Sequence, residues 1–311
     1  MKVIAIVGPT AVGKTSLSID LAKRFNGEII SGDSMQVYRG LDIGTAKVTV
    51  EEMEGIPHHL IDVRDIDESY SAADFQKAAR QAIQEISQRN KLPIIVGGTG
   101  LYIQSLLWDF KLGSEGEPED DSLREKYEAF AEKNGNQALW KKLQIVDSLA
   151  AEKIHYNNRK KIVRALEVFE LTGHSILKPK DRPKKLYDSF LIGLNTDRAV
   201  LYQRINQRVD LMVERGLLSE VEMLAKNPNV QAAQGIGYKE LFPYLAGDSS
   251  LSESLEEVKL HSRRYAKRQL TWFHNRMSVH WFDLVQQPEL ITEIEETLAD
   301  WLADDTSDFC R

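Results

Sequence analysis

Short apolar runs alternate with stretches of helical spacing along the first hundred residues of the chain. The runs KVIAIV (2–7), EIIS (28–31) and PIIV (93–96) each predict a strand, and the last has no polar alternation, as in strands buried on both faces. Residues 69–89 have helical spacing, with Ser71 placed to cap the helix. The pattern predicts an α/β fold in which helices flank a parallel sheet.

The pattern changes after this first region. The segment GSEGEPEDD (113–121) combines glycine, proline and acids and predicts a domain boundary. Helical spacing without any strand pattern fills 122–177, a proline-containing basic segment follows at 178–185, and strand-like runs return at 189–194 and 279–282. We therefore expect a first core part at 1–113, an all-helical insertion domain at 114–188, and a second core part with C-terminal helices at 189–311.

The most specific local pattern directly follows the first predicted strand. GPTAVGKT (8–15) has the spacing G-x-x-x-x-G-K-T and leads into a stretch of helical spacing, so strand, loop and helix are all present. Backbone N–H groups of such a loop and the positive end of its helix bind phosphate oxygens. Lys14 adds a cation, and the hydroxyl of Thr15 is the expected Mg²⁺ ligand. The loop predicts a P-loop phosphate site without deciding which phosphate compound binds.

Two other predicted strands end in polar or glycine-rich sequence. GDSMQVY (32–38) follows the second strand, and GGTGLY (97–102) follows the strand at 93–96. Ligands of open α/β sheets bind beyond the carboxyl ends of the strands, so we expect Asp33 near the phosphate loop. His58 and His59 lie in a possible third strand at 58–63, where neighbours point to opposite faces, so we do not expect them to share a metal ion.

Composition narrows the class of protein. The chain is 42% hydrophobic with a net charge of -7, so any nucleic-acid site must be a local basic patch on an acidic protein. A single cysteine, Cys310, excludes a disulfide framework within one chain and fits a reducing compartment. No apolar run approaches about twenty residues, and the chain begins directly with a strand. We expect a cytoplasmic monomer with no signal peptide and no membrane contact.

One stretch fits such a basic patch. Residues 259–276 contain six Lys or Arg and no acid, interleaved with Tyr265, Trp272 and Phe273. Basic and aromatic residues on one helix are typical of nucleic-acid binding. The alternative is a solvated basic face whose aromatic rings pack inward.

Nine stretches, in collinear order over most of the chain, resemble the tRNA dimethylallyltransferase family, also called the tRNA isopentenyltransferase family. They are GPTAVGKT (8–15), SGDSMQVYRGLDIGTAK (31–47), PHHLIDV (57–63), YSAADF (70–75), GGTGLY (97–102), RALEVFELTG (164–173), LYQRINQRVDLMVERGLLSEV (201–221), GIGYKEL (235–241) and YAKRQLTWF (265–273). The resemblance implies transfer of a dimethylallyl group from dimethylallyl diphosphate to N6 of the adenosine 3′ of the tRNA anticodon. It also implies a P-loop α/β core, Mg²⁺ as cofactor, and a helical insertion that binds the anticodon stem-loop.

The resemblance also implies roles for individual residues. Asp33 accepts the N6 proton, and Lys14, Thr99 and an arginine of QRINQRVD complete the catalytic set; we favour Arg208 over Arg204. The diphosphate is expected at Gly8, Pro9, Thr10, Ala11, Val12, Gly13, Lys14, Thr15, Ser16 and Arg208, with Mg²⁺ at Thr15. The tRNA is expected at Asp33, Ser34, Met35, Gln36, Thr99, Arg124, Arg159, Lys160, Lys161, Arg164, Lys267 and Arg268. Family members often have Pro, Gln and Arg at 159–161, where this chain has Arg, Lys and Lys.

The chemistry of the residues agrees with these roles. The exocyclic amine of adenine is a weak nucleophile, and a nearby carboxylate takes its proton as the new bond forms, a role open to Asp33. The alternative for Asp33 is a magnesium-binding or helix-capping carboxylate. A base that has left its stack needs hydrogen bonds at its edge and apolar contacts on its faces. We expect the hydrogen bonds from Gln36 and the apolar contacts from Met35 and Tyr38.

Three other functions share parts of this pattern. A small-molecule kinase has the same loop and sheet but leaves the basic helical insertion without a role. A transferase acting on free adenine nucleotides would have no need for an RNA-binding insertion. A non-catalytic RNA-binding NTPase switch would prefer a triphosphate to a prenyl diphosphate.

Overall fold

The computed structural model describes residues 1–110, 112, 120–177 and 183–304. Three features of the sequence therefore lie wholly or mostly outside the described residues. They are the predicted boundary at 113–121, the basic segment at 178–185 and Cys310.

The described residues form six strands and thirteen α-helices, with one short 3₁₀ turn at Ala232–Gln234. The strands are β1 (Lys2–Val7), β2 (Gly27–Ser31), β3 (His58–His59), β4 (Leu92–Gly97), β5 (Asp188–Leu194) and β6 (His280–Phe282). The helices are α1 (Lys14–Arg24), α2 (Val50–Met53), α3 (Ala72–Gln88), α4 (Gly100–Leu107), α5 (Asp121–Asn134), α6 (Asn136–Val146), α7 (Ser148–Lys153), α8 (Arg159–Thr172), α9 (Arg198–Glu214), α10 (Leu217–Ala225), α11 (Phe242–Leu245), α12 (Leu251–Arg276) and α13 (Leu290–Ala303).

The strands form one parallel sheet in the order β3-β2-β4-β1-β5-β6. Alternate residues of β1 enter two separate apolar clusters: Val3, Ala5 and Val7 pack on one face, and Ile4 and Ile6 on the other. Burial on both faces explains why the strand sequences lack polar alternation. The predicted parallel α/β class is confirmed.

The ends of the central strands are level with one another. Val7 pairs with Gly97 on one side and with Gly193 on the other, and Ser31 pairs with Val96. Three chain segments that leave the sheet at this edge, after β1, β2 and β4, therefore start close together.

One local prediction is confirmed and another is wrong. Ser71 and Asp74 form a reciprocal capping box at the start of α3, because each side chain accepts a backbone N–H of the other residue. The third strand, however, is only two residues long. Leu60 and Asp62 have positive φ values of 63° and 55°, which are incompatible with extended pairing. The expected strand at 58–63 therefore ends after His59.

The chain divides into two compact units. One comprises Met1–Trp108 with Lys185–Arg311 and contains the whole sheet; the other comprises Asp109–Lys184. The sequence placed the corresponding limits at 114 and 188. In the smaller unit, the four helices from α5 to α8 enclose their own apolar cluster, which includes Leu139, Leu143 and Ile162.

Among the described residues, no helix combines the length and the apolar character needed to cross a membrane.

Candidate functional site

A cavity of about 690 Å³ lies in the sheet-containing unit, beyond the carboxyl ends of β1, β2 and β4. The phosphate loop, the segment after β2, the end of β4, α9 and α12 all contribute to its lining. The sequence-predicted residues that line it are Thr10, Ala11, Val12, Gly13, Lys14, Thr15, Asp33, Ser34, Met35, Gln36, Arg208 and Arg268. The structure thus brings the phosphate loop and Asp33 to one site, as the strand-end argument predicts.

The phosphate loop takes its shape from its own glycines. Gly8 has φ +142°, and a Cβ there would lie 2.4 Å from the carbonyl oxygen of Leu194. Gly13 has φ +103° and directly precedes α1. A side chain at either position would be strained, so the G-x-x-x-x-G spacing follows from the backbone. Of the residues predicted to bind the diphosphate, Gly8, Pro9 and Ser16 lie outside the cavity lining.

The cavity contains two cations and a carboxylate that influence each other. Burial, assisted by the nearby positive charge of Arg208, lowers the pKa of Lys14 from 10.5 to about 7, while Asp33 opposes the shift. Burial also lowers the pKa of Arg208, and Asp33 again opposes it. Two partly desolvated cations beside one carboxylate favour the binding of an anion, which would restore the charged form of Lys14.

Arg204 and Arg208 are one helical turn apart on α9, and both line the cavity. Arg204 is exposed, and its Nε donates to the carbonyl oxygen of Ala11 at 2.8 Å. Arg208 is half-buried and interacts electrostatically with Asp33 and Lys14. The contacts give Arg204 a part in holding the phosphate loop and leave Arg208 as the better-placed cation for a ligand.

The segment after β2 forms a second edge of the cavity. One carboxylate oxygen of Asp33 accepts the backbone N–H of Met35 at 2.8 Å. The hydroxyl oxygen of Thr99 accepts the backbone N–H of Ser34 at 3.3 Å, so Thr99 supports this segment from the end of β4. The expected contact of Tyr38 with a base is wrong, because Tyr38 is fully buried in the main apolar cluster.

Helix α12 shows features of both structures considered for it: some of its aromatic rings pack inward, and other basic and aromatic residues line a cavity. Phe273 is fully buried, and Trp272 packs against the core with Arg276 over its ring at 4.4 Å. Tyr265 and Arg268 line the main cavity, and burial raises the pKa of Tyr265 to about 12. Lys267 is the other residue of this helix that was predicted to contact tRNA, and it lines a smaller cavity of about 270 Å³ instead.

The sequence interpretation missed the role of Gln269, also on α12. Its side-chain oxygen accepts the backbone N–H of Thr10 at 3.1 Å, and its side-chain nitrogen donates to the carbonyl oxygen of Gly98 at 3.1 Å. A Cβ on Gly98 would lie 1.9 Å from that nitrogen. Gln269 thus joins the phosphate loop to the end of β4; its presence in YAKRQLTWF was the only available signal.

In the smaller unit, the predicted basic residues fall into two groups. Arg124 and Arg164 form ion pairs with the fully buried Glu167, at 2.9 and 2.7 Å, and Arg159 pairs with Glu128 at 2.5 Å. Lys160 and Lys161, by contrast, are exposed on the first turn of α8. The three arginines stabilise the unit, and the two lysines offer the free positive charge of this helix.

The paired histidines have separate partners. His59 Nε2 lies 2.7 Å from a carboxylate oxygen of Glu28, and His58 Nδ1 lies 2.8 Å from the carbonyl oxygen of Ile56. Within the described part of the chain, no group of three or more His, Cys, Asp or Glu side chains is placed to hold a metal ion. A metal ion bound at Thr15 in the main cavity would therefore also need water and a bound anion as ligands.

The chain matches a known protein family. A family model described as IPP transferase matches residues 36–276. The chain belongs to the IPP transferase family. The match begins within the segment after β2 and includes α9 and α12, so much of the cavity lies in the matched part, while the phosphate loop and Asp33 precede it.

Individual relatives extend the similarity over nearly the whole chain. A tRNA dimethylallyltransferase of Enterococcus faecalis is 65% identical over 301 residues, which is 97% of each chain. The solved tRNA isopentenylpyrophosphate transferase of Bacillus halodurans is 51% identical, with a TM-score of 0.73 over 97% of this chain and 96% of that one. A solved eukaryotic dimethylallyltransferase, described as acting on tRNA, is 31% identical, with a TM-score of 0.81 over 99% of this chain and 81% of that one. The family resemblance seen in the sequence is therefore confirmed.

Proposed function

We propose that this IPP transferase family member transfers a dimethylallyl group from dimethylallyl diphosphate to N6 of the adenosine 3′-adjacent to the tRNA anticodon, and releases diphosphate. The observation that carries the proposal is one shared cavity. It places a phosphate-binding loop with Lys14 and Arg208 beside Asp33, the carboxylate suited to receive a proton from an attacking amine.

On the donor side, the leaving group is a diphosphate. As its bond to the allylic carbon breaks, negative charge grows on the bridging oxygen. The loop N–H groups, Lys14 and Arg208 are preorganised cations and dipoles that stabilise this charge. Arg204 contributes indirectly, because its bond to the carbonyl oxygen of Ala11 holds the loop in shape.

On the acceptor side, the nucleophile is a neutral aromatic amine. A bond forms between N6 and the allylic carbon while the carbon–oxygen bond to diphosphate breaks, and one N6 proton passes to Asp33. The bond from the Met35 N–H to one oxygen of Asp33 orients the carboxylate. Its other oxygen remains available to accept the proton.

The residues present also fit a magnesium ion bound with the diphosphate. The hydroxyl of Thr15 offers an oxygen donor to the cavity. Mg²⁺ usually keeps several waters and binds through one or two protein oxygens together with substrate phosphates, so a protein-only ligand cluster is not required. When bound, the ion would neutralise diphosphate charge.

The tRNA contacts are proposed at two separate basic surfaces. In the sheet-containing unit these are Arg268 at the cavity and Lys267 beside it. In the helical unit they are Lys160 and Lys161, which would contact phosphates of the anticodon stem-loop. The protein would act as a cytoplasmic monomer.

Mass spectrometry of nucleosides tests the proposal. Unmodified tRNA is incubated with the protein, dimethylallyl diphosphate and Mg²⁺, then digested to nucleosides. We expect an adenosine carrying one dimethylallyl group, lost when the adenosine 3′ of the anticodon is replaced by guanosine. Unmodified nucleosides in every reaction would contradict the proposal.

A further inference from the structure

A buried carboxylate on α10 holds one wall of the cavity. Glu220 is 8% exposed, and its side chain accepts four hydrogen bonds. Three come from consecutive backbone N–H groups, those of Asp42 at 2.8 Å, Ile43 at 2.7 Å and Gly44 at 3.0 Å. The fourth comes from the hydroxyl of Tyr238, at 2.8 Å.

The segment held by Glu220, which we call the 42–46 loop, forms part of the cavity lining through Gly44, Thr45 and Ala46. A Cβ on Gly44 would lie 2.5 Å from the ring of Tyr238, so the loop and the ring are in close contact. Burial and the neighbouring Glu220 raise the pKa of the Tyr238 hydroxyl, which therefore remains a donor. The carboxylate and the ring fix the path of the loop together with local turn bonds, in which the N–H groups of Ala46 and Lys47 donate to the carbonyl oxygens of Ile43 and Asp42.

This loop in turn determines how Gln36 faces the cavity. The side-chain nitrogen of Gln36 lies 3.4 Å from the carbonyl oxygens of both Thr45 and Ala46. Its side-chain oxygen accepts the hydroxyl of Ser31 at 2.9 Å and has a second lone pair. The 42–46 loop and the Ser31 hydroxyl together therefore determine which end of the amide faces each partner.

We propose that Glu220 is a positioning residue for the acceptor base: it holds the 42–46 loop, and the loop orients Gln36 to recognise the edge of the adenine. Glu220 acts through backbone groups and through Gln36. The phosphate loop has separate supports in Arg204 and Gln269, so the effect of Glu220 is directed to the acceptor rather than to the diphosphate. This inference rests on the proposed transfer to an adenosine.

The test compares Glu220→Gln with a matched variant, Glu28→Gln. Glu28 is also a buried glutamate, 3% exposed, but it lies near the start of β2, where it pairs with Arg89, His59 and Lys91. In Glu220→Gln, the side-chain amino group would face the N–H and hydroxyl donors that the carboxylate now accepts. Glu28→Gln would weaken contacts outside the cavity. A third variant, Tyr238→Phe, removes one donor and leaves the carboxylate in place.

Two measurements are made on each folded variant. Hydrogen exchange, followed by mass spectrometry of peptides that cover 42–46, reports on the loop without any need for activity. Steady-state transfer gives kcat/KM for an anticodon stem-loop RNA and KM for dimethylallyl diphosphate. A misplacement of about 1 Å in a reacting group costs about 100-fold, so a loosened loop should cost about 10- to 100-fold in kcat/KM for the RNA.

For Glu220→Gln we expect faster exchange in the loop and a fall in kcat/KM for the RNA with KM for dimethylallyl diphosphate unchanged, and a smaller change of the same kind in Tyr238→Phe. Glu28→Gln should leave both readouts unchanged. Unchanged exchange in the loop, or a rise in KM for dimethylallyl diphosphate as large as the fall in kcat/KM for the RNA, would overturn the proposal. If Glu220→Gln does not fold, the Tyr238→Phe readouts decide by the same criteria. A wild-type protein without transfer would refute the proposed function, while the exchange data would still decide whether Glu220 holds the loop.

Discussion

The phosphate loop and the 42–46 loop are two walls of one cavity with different origins. The phosphate loop is eight consecutive residues whose turns require their own glycines, and Arg204 and Gln269 contact it from distant helices. The 42–46 loop is held by Glu220, between 176 and 178 positions further along the chain. The backbone turns of the donor wall are therefore encoded locally, whereas the backbone N–H groups of the acceptor wall depend on a distant carboxylate. We infer that changes in acceptor preference can arise far in sequence from the residues that touch the base.

The largest effect should come from the carboxylate between these walls. Asp33→Ala removes the proposed proton acceptor and should lower the transfer rate by about 10²–10⁴. Binding of the stem-loop RNA, measured by fluorescence anisotropy, should change little. Asp33→Asn is the matched control for size and should be equally slow. A rate within a few-fold of wild type would remove Asp33 from this role.

The second comparison is between the two arginines of α9. Arg208→Ala should lower kcat by about 10²–10³, the usual cost of losing a group that stabilises charge in the transition state. Arg204→Ala should mainly raise KM for dimethylallyl diphosphate, because it loosens the phosphate loop at Ala11. Steady-state kinetics of both variants separate the two roles. A larger loss of kcat in Arg204→Ala would reverse the assignment.

A third comparison concerns charge in the helical unit. Replacing Lys160 and Lys161 together by glutamine should weaken RNA binding and make it less dependent on salt, because each phosphate contact contributes a slope of about -0.7 to -0.9 in log K against log salt. Binding titrations between low and physiological salt measure the slope. Lys126 is the matched control, since its ammonium is paired with Glu170 at 2.9 Å, and Lys126→Gln should leave the slope unchanged. Equal slopes for the wild type and both variants would mean that Lys160 and Lys161 face solvent without contacting RNA phosphates.

The smallest effect concerns protons at the donor wall. Lys14 has a pKa of about 7 in the free protein, and a bound diphosphate should raise it. Well below pH 7 the lysine is already charged, so binding takes up almost no protons there. At pH 8 binding should take up about one proton, and affinity should fall as the pH rises further. Calorimetry in buffers of different ionisation enthalpy measures the uptake, and Lys14→Gln should abolish it. Equal proton uptake by the wild type and Lys14→Gln would contradict the assignment.

These comparisons also show how far the sequence could lead. The parallel sheet, the phosphate loop and the approach of Asp33 to it follow from strand patterns and from the rule that ligands bind at carboxyl ends. All of these depend on neighbours in sequence. The capping box at Ser71 is predictable for the same reason.

What the sequence did not reveal depends on contacts between distant residues. Tyr38 follows the acceptor segment directly, yet its side chain turns into the core, and no local pattern distinguishes that from a base contact. Gln269 and Glu220 are polar residues on helices, where a solvated position is the usual expectation. Arg159 belongs to a basic run, but Glu128 neutralises it from a different helix.

The most direct test of the central claim asks which donor the phosphate loop uses. Stem-loop RNA is incubated with the protein, Mg²⁺ and either labelled dimethylallyl diphosphate or ATP labelled in the γ-phosphate. We expect label on the RNA only from the prenyl donor, attached to the adenosine 3′ of the anticodon and absent with Asp33→Ala. Label from ATP, with none from dimethylallyl diphosphate, would contradict it and indicate a kinase built on the same sheet.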